Sequence, residues 1–152
     1  MLPRGIRNRN PGNIRLSRDK WQGLASRQND RDFFQFISYE YGIRALARVL
    51  LTYQTKHGLD TVRKIINRWA PPVGNANGKT YTQDTSAYAR AVAKAMGVKL
   101  DDAVDVRVPA TMLALVKAIV THENGMQPFA DDVLLKGLAL AGINQQEEQP
   151  HA

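Results

Sequence analysis

The sequence predicts an α+β fold that is mostly α-helical, with a small β-unit at its N-terminus. Five segments after residue 40 carry apolar residues at helical spacing, whereas Phe34 and Phe36 alternate with Gln35 as in a strand. A length of 152 residues with 43% hydrophobic side chains suits one domain with a buried core. We therefore predict a single domain over residues 1–143, followed by a disordered polar tail over residues 144–152.

The β-unit is expected within the first forty residues. Residues 1–20 are rich in Arg, Asn, Gly and Pro, which predicts an ordered loop leading into a short strand near residues 13–16. A polar hairpin loop over residues 26–32 then precedes a strand over residues 32–37. Residues 71–82, rich in Gly and Asn, are predicted to be a loop.

Capping residues, prolines and glycines set the expected helix boundaries. For the five predicted helices, the residues that mark the start and the end are, in order, Ser38 and Gly58, Asp60 and Pro71, Asp84 or Thr85 and Gly97, Pro109 and Gly125, and Asp131 or Asp132 and Ala141. The fourth helix is apolar nearly all round, which is typical of a central, buried helix.

Glu123, near the end of that fourth helix, is the main candidate for chemistry. It shares an apolar stripe with Val116, Ile119 and Val120. Apolar surroundings and the negative end of the helix macrodipole both disfavour an ionised carboxylate. A protonated carboxyl group is what a general acid needs to protonate a sugar leaving group. The alternative is a structural glutamate that pairs with a nearby Lys or Arg, or reaches water past the last turn.

Other residue types narrow the possible chemistry. The helix dipole alone explains Glu40 in a first turn, and Glu147 and Glu148 lie in the tail. No two histidines have metal-ligand spacing, and the chain lacks cysteine, so no metal site is expected. There is also no nucleophile-elbow serine and no phosphate-binding glycine loop. No metal or organic cofactor is implied.

The Asn-rich segment RNRNPGNIR is the second unusual feature. Side-chain amides of Asn8, Asn10 and Asn13 suit sugar hydroxyls and N-acetyl groups, and Trp21 or Tyr41 can stack on a sugar face. The alternative is turn chemistry, because Asn, Pro and Gly build turns without any ligand.

The formal net charge is +7, and the N-terminal segment is strongly basic. Six basic residues lie in the first twenty positions: Arg4, Arg7, Arg9, Arg15, Arg18 and Lys20. Such a surface attracts nucleic acid, anionic lipid or anionic wall polymers, although it can equally be a solubilising surface. No apolar run reaches transmembrane length, and the N-terminus lacks the apolar stretch of a signal peptide.

Several short sequence motifs form a recognisable set: RGIRNRNPGNIR, WQG, FFQFIS with YGIRALARVLLTYQ, RWAPP and HENGMQPF. Together they resemble a phage-associated family of virion structural proteins with lysozyme-like, peptidoglycan-cleaving character. The resemblance extends to about Ala141. The first forty residues also resemble the β-subdomain of bacterial glucosaminidases, in which a helix ending in a catalytic glutamate comes first. Here that helix comes last, which implies a circularly permuted lysozyme-like fold.

The resemblance implies cleavage of peptidoglycan glycan strands, as a muramidase, glucosaminidase or lytic transglycosylase. Glu123 would be the general acid, with Asp32 or Glu40 as a second carboxylate. We expect the Glu123 carboxyl group to open into a groove faced by residues 8–15. The candidate substrate-binding residues are Asn8, Asn10, Asn13, Arg15, Trp21, Tyr41, Asn124 and Gln127.

Such a protein would be made in the cytoplasm and would act on the periplasmic cell wall after delivery by a virion, lysis or a secretion system. Its expected partners are peptidoglycan and other virion or secretion-machine proteins, or a protein inhibitor. The rival interpretation is a non-catalytic virion structural or wall-binding module. A basic nucleic-acid-binding protein is a further alternative, although no recognisable reading motif is present.

Overall fold

A computed structural model describes residues 1–76 and 78–144, which form six helices and two strands. In chain order they are α1 (Arg4–Arg7), α2 (Tyr39–His57), α3 (Val62–Trp69), β1 (Val73–Ala76), β2 (Lys79–Thr82), α4 (Thr85–Met96), α5 (Pro109–Asn124) and α6 (Asp131–Leu140). The chain is therefore mostly helical with a small antiparallel sheet, as an α+β fold requires. Apart from Asn144, the predicted tail lies outside the described residues.

The five long helices lie where the sequence predicts them, and their caps explain most of the boundaries. The side chain of Ser38 accepts a hydrogen bond from the Tyr41 backbone, and Asp84 does the same for Ala87. Two expected caps are wrong. Thr61, not Asp60, caps α3 because its hydroxyl accepts from the Lys64 backbone. Ala130 precedes α6, and the two expected capping aspartates lie within its first turn, where the helix dipole favours them.

Helix α5 forms the centre of the core. Its fully buried side chains are Met112, Leu115, Val116, Ile119 and Val120. It contacts α1, α2, α4 and α6, while α2 packs along α6 and α4 packs on α3. The sequence prediction of a central, buried helix is therefore confirmed, and its C-terminal end is fixed firmly enough to hold a functional side chain.

The N-terminal segment is less regular than the predicted β-unit. It contains the short helix α1 and two isolated β-bridges, Arg15–Phe33 and Leu24–Phe36, but no extended strand. One reason is that the Asn10 side chain replaces ladder hydrogen bonds. Its amide donates to the carbonyls of Ile14 and Phe34 and accepts from the Ile14 backbone.

The regular sheet instead falls in residues 71–82, so the loop prediction there is wrong. Strands β1 and β2 pair antiparallel from Val73–Thr82 to Ala76–Lys79. This hairpin lacks apolar alternation, since its side chains are exposed or only half-buried. The periodicity that identifies a strand in a sequence is therefore missing.

A second, smaller core joins the N-terminal segment to α2. Phe34, Phe36 and Ala45 are buried there, with Trp21 and Tyr41 packed against them. Elsewhere the backbone comes unusually close to the helix: a side chain at Gly42 would place its Cβ 2.0 Å from the Arg9 carbonyl oxygen. Only glycine permits this approach. Within the described residues, no helix is long and apolar enough to cross a membrane.

Candidate functional site

A groove with a volume of about 300 Å³ runs between the end of α5, the Asn-rich segment and the β-hairpin. Residues 12–15 form one wall, and Glu123 lies beside them. Tyr81 and Gln83 line the groove near the hairpin, and Trp21, Tyr53 and Trp69 add aromatic surface. This mixture of rings, amides and one helix-borne carboxylate is typical of a ligand site rather than of a plain surface depression.

Glu123 is half-buried and held by two neutral donors. The Asn13 amide Nδ2 lies 3.2 Å from Glu123 Oε1, and the Tyr88 hydroxyl lies 2.8 Å from Oε2. Both donors are neutral groups. Among the described residues, Glu123 therefore does not form the ion pair with Lys or Arg that was considered as the alternative. The expected closeness of Glu123 to residues 8–15 is confirmed.

Tyr88 orients the carboxylate from the protein interior. It is 2% exposed on α4, and its hydroxyl accepts a hydrogen bond from Trp69 Nε1 at 3.1 Å. Burial, and next the negative charge of Glu123, raise the pKa of Tyr88 well above its ordinary value. Tyr88 therefore remains a neutral phenol that donates to Glu123. The ring of His122 stacks on Tyr88 with the centroids 3.6 Å apart.

Asn13 approaches Glu123 because of its backbone conformation. Its φ of 51° lies in the left-handed region, which Asn tolerates better than most residues. Asn124 fixes the same loop to α5, because its amide donates to the carbonyl of Pro11 at 2.8 Å. A Cβ at Gly5 would lie 2.7 Å from Asn13 Oδ1 and 2.5 Å from Asn124 Oδ1. Glycine at position 5 thus leaves room for both amides.

Three of the eight candidate substrate-binding residues line the groove: Asn13, Arg15 and Trp21. Arg15 lies against two aromatic rings, since its guanidinium carbon is 5.0 Å from the ring centroids of both Phe33 and Tyr81. The indole Nε1 of Trp21 is buried and has no hydrogen-bond partner within residues 1–76 and 78–144. Trp21 also borders an apolar extension of about 360 Å³ beside Tyr53.

The other five candidates serve the fold and do not line the groove. Asn8 is buried and bonds to Asp30 and Gln35, whereas Asn10 is fully buried. Asn124 binds the loop as described above. Gln127 exchanges two hydrogen bonds with the Phe129 backbone, and Tyr41 packs in the smaller core. These five side chains lie outside the residues that line the groove, and their assignment as substrate-binding residues stays a prediction.

Neither carboxylate proposed to assist Glu123 lies in the groove. Asp32 forms an ion pair with Arg4 at 2.9 Å and borders a neighbouring cavity, and Glu40 lies in the first turn of α2. Asp19 lines the groove instead, on the exposed stretch before Trp21. Asp19 was not predictable from the sequence because a polar loop gives no spacing signal. Tyr88 was not predictable because an aromatic residue on an apolar stripe resembles an ordinary core residue.

Comparison with known proteins places the chain among phage proteins. No family model matches it. It is 37% identical to Protein P5 of Pseudoalteromonas phage PM2 over 141 aligned residues, which cover 88% of this chain and 79% of that protein. Identity at this level over most of both chains establishes common descent. The chain therefore belongs to the same family as this phage protein.

Proposed function

We propose that this protein cleaves the glycan strands of bacterial peptidoglycan, with Glu123 as the general acid. The observation that carries the proposal is the position of the Glu123 carboxyl group. It lies at the rim of a groove, between neutral donors, with no cation paired to it among the described residues. A carboxyl group at the rim of a sugar-sized groove lies within reach of a bound glycosidic oxygen, which is the first geometric requirement of a general acid.

The remainder of the groove suits neutral sugars. Trp21, Tyr53 and Tyr81 provide aromatic faces for pyranose rings, and Asn13 and Gln83 provide amides for hydroxyl and N-acetyl groups. These rings and amides bind a ligand by stacking and hydrogen bonding.

The proposed reaction begins with proton transfer from Glu123 to the glycosidic oxygen. The bond between the anomeric carbon and that oxygen then breaks, and positive charge develops on the sugar ring. The ionised Glu123 accepts hydrogen bonds from Tyr88 and Asn13, which stabilise the charge that it gains. Glu123 then takes a proton from the nucleophile, either water in hydrolysis or a hydroxyl of the same sugar in transglycosylation.

The proposed fold is lysozyme-like and circularly permuted. Its support is the junction between the end of α5 and the Asn-rich loop. The hydrogen bond from Asn124 to the Pro11 carbonyl and the contact from Asn13 to Glu123 place the loop directly after the glutamate in space, although it comes first in the chain. The groove then has the order of helix, loop and aromatic segment that the resemblance implies.

Delivery by a virion suits a chain whose relative is a phage protein. The protein would then act on the wall from outside or during lysis, with peptidoglycan as its substrate. The rival proposal, a non-catalytic virion or wall-binding module, retains the groove but makes no use of an acid at Glu123.

The decisive experiment incubates the purified protein with peptidoglycan sacculi and identifies the soluble products by mass spectrometry. Reducing ends indicate hydrolysis, and anhydro ends indicate transglycosylation. The sugar found at the new end identifies the scissile bond. Binding to sacculi without release of fragments by either route would reject the enzymatic proposal and favour the wall-binding module.

A further inference from the structure

A second cavity of about 590 Å³ adjoins the groove at Arg15 and Tyr81. Both residues line both cavities, so a ligand held in the groove lies next to the second cavity. The second cavity, which we call the cationic arm, is bordered by Arg15, Arg31, Asp32, Ala76, Lys79 and Tyr81.

The cationic arm carries three positive side chains and one carboxylate. Arg4 lies 2.9 Å from Asp32 but also pairs with Asp30, so its single charge is shared between two carboxylates. Even when both aspartates are counted with Arg4, the positive side chains of the arm remain in excess. Arg15 is held between the rings of Phe33 and Tyr81, so its guanidinium is positioned before a ligand arrives. Arg31 is 90% exposed at 3.9 Å from Asp32, and Lys79 is exposed on β2. An excess of positive charge therefore remains available in this arm.

We propose that the cationic arm binds the carboxylates of acidic stem peptides on the peptidoglycan strand. This inference rests on the proposed function, because the sugar backbone must occupy the groove beside Glu123. A stem peptide projects from the glycan and carries several carboxylates. Guanidinium and ammonium groups form charge-assisted hydrogen bonds with such groups.

The distribution of charge favours a peptide-bearing glycan over a nucleic acid. Glu123 and Asp19 line the central groove, so a phosphate backbone running through it would pass two carboxylates. A ligand with neutral sugars in the groove and carboxylates in the arm avoids this repulsion. The site therefore distinguishes a peptide-bearing glycan from a nucleic acid by where the negative charges of the ligand lie, although both ligands are anionic.

The test measures binding to full-length Glu123→Gln protein, which should not consume its ligand. One probe is a peptidoglycan tetrasaccharide with tetrapeptide stems, and the second is the same molecule with the peptide carboxylates converted to amides. Calorimetry should show roughly 3- to 30-fold tighter binding of the acidic probe, as expected for two or three exposed charge contacts. Adding Arg31→Gln and Lys79→Gln together should remove most of this preference, because only Arg15 then remains of the three positive side chains.

A matched control replaces Lys94 and Lys136, two exposed lysines outside both cavities, with Gln. It removes the same net charge and should retain the preference, while thermal melts check that each variant folds. Equal binding of both probes, no binding of either, or a preference unchanged by loss of Arg31 and Lys79 would overturn the proposal. Tighter binding of a short single-stranded DNA would overturn it in favour of nucleic acid. A retained preference without cleavage of sacculi by the unmodified protein would reject the proposed enzymatic function but keep the peptide site.

Discussion

The hydroxyl of Tyr88 donates to Glu123 Oε2 over 2.8 Å and joins α4 to the last turn of α5. Trp69 donates in turn to Tyr88, so a chain of two hydrogen bonds runs from α3 to the carboxylate. Tyr88 is buried, whereas Asn13 lines the groove and donates to Glu123 Oε1. Each carboxylate oxygen is therefore held by a neutral donor, one from the core and one from the groove wall.

Replacing Glu123 with Gln should abolish most glycan cleavage and leave the fold intact. Gln is nearly isosteric and can still accept from Tyr88, but it has no acidic proton. The rate should fall on the order of 10²–10⁴-fold. The measurement is release of soluble fragments from sacculi, with circular dichroism as the folding check. Glu40→Gln is the matched control. A normal cleavage rate for Glu123→Gln together with an inactive Glu40→Gln would show that Glu40, not Glu123, is the catalytic glutamate.

Tyr88→Phe should lower kcat more than it changes KM. The ring remains in the core, while Glu123 loses one donor and Trp69 loses its acceptor. Loss of one positioning hydrogen bond worth about 1–2 kcal/mol should slow turnover roughly 5- to 30-fold. Steady-state kinetics on a soluble glycan would test this. Tyr39→Phe, in a residue that packs on Phe129 instead, should leave both constants unchanged; an equal effect of both variants would contradict a specific role for Tyr88.

Asp19 is the expected second carboxylate if the reaction is hydrolysis. It is the acidic residue that accompanies Glu123 on the described groove wall, and it can orient or deprotonate water. Asp19→Asn should then slow the formation of reducing ends on the order of 10²-fold. Mass spectrometry of the products in a timed digestion provides the measurement. An unchanged rate of hydrolysis would exclude this role for Asp19.

The net charge of +7 should make cleavage of intact sacculi sensitive to salt. Screening shortens the reach of surface charge, so attraction to an anionic wall weakens as ionic strength rises. Proton transfer from Glu123 does not require this attraction. Cleavage of a short, neutral glycan should therefore vary far less with salt, as two activity curves against ionic strength would show. Parallel curves would mean that the basic surface only aids solubility.

The ion pair between Arg4 and Asp30 should make the protein less stable in acid. Arg4 holds the pKa of Asp30 far below its usual range, and Asn8 and the Phe33 backbone also donate to this carboxylate. A lowered pKa in the folded state stabilises the protein above the ordinary carboxyl pKa. This contribution is lost as the pH falls through the lower, folded value.

Asp30→Asn should consequently lower the free energy of unfolding by about 1–2 kcal/mol at pH 7. The difference in the free energy of unfolding between the variant and the unmodified protein should narrow as the pH falls below about 4. Only the unmodified protein has the Asp30 carboxylate, which becomes protonated in this range. Urea unfolding at several pH values measures both quantities. Asp101→Asn, in an exposed ion pair with Arg63, should change stability little. If the difference in stability between Asp30→Asn and the unmodified protein is the same at every pH, the Arg4–Asp30 ion pair does not cause the acid sensitivity.

Helical periodicity made α5 and the location of Glu123 predictable. An apolar stripe, Pro109 and Gly125 bound the helix, and Asn-rich composition marked the loop that faces it. The β-hairpin was not predictable in this way because its strands are polar and pair through backbone groups. Strand pairing without side-chain alternation leaves little trace in one sequence.

The groove could be predicted only in part. Asn13 and Asn10 are the same residue type in one segment, yet Asn13 lines the groove and Asn10 replaces strand hydrogen bonds inside the fold. Composition cannot separate these uses, because both exploit the same amide donors and acceptors. Tyr88 was hidden for a related reason, since its ring completes the core while its hydroxyl reaches the site.

The hydrogen bond between Asn13 and Glu123 joins residues 110 positions apart in the chain. During synthesis, the Asn-rich loop leaves the ribosome long before α5 does, so nascent chains cannot assemble the groove. Closing so long a loop also costs conformational entropy before the contacts that offset this cost can form. The contact between Asn13 and Glu123 is therefore expected to form late in refolding. Groove assembly should therefore be among the late events of folding, and partly folded chains would lack the paired glutamate.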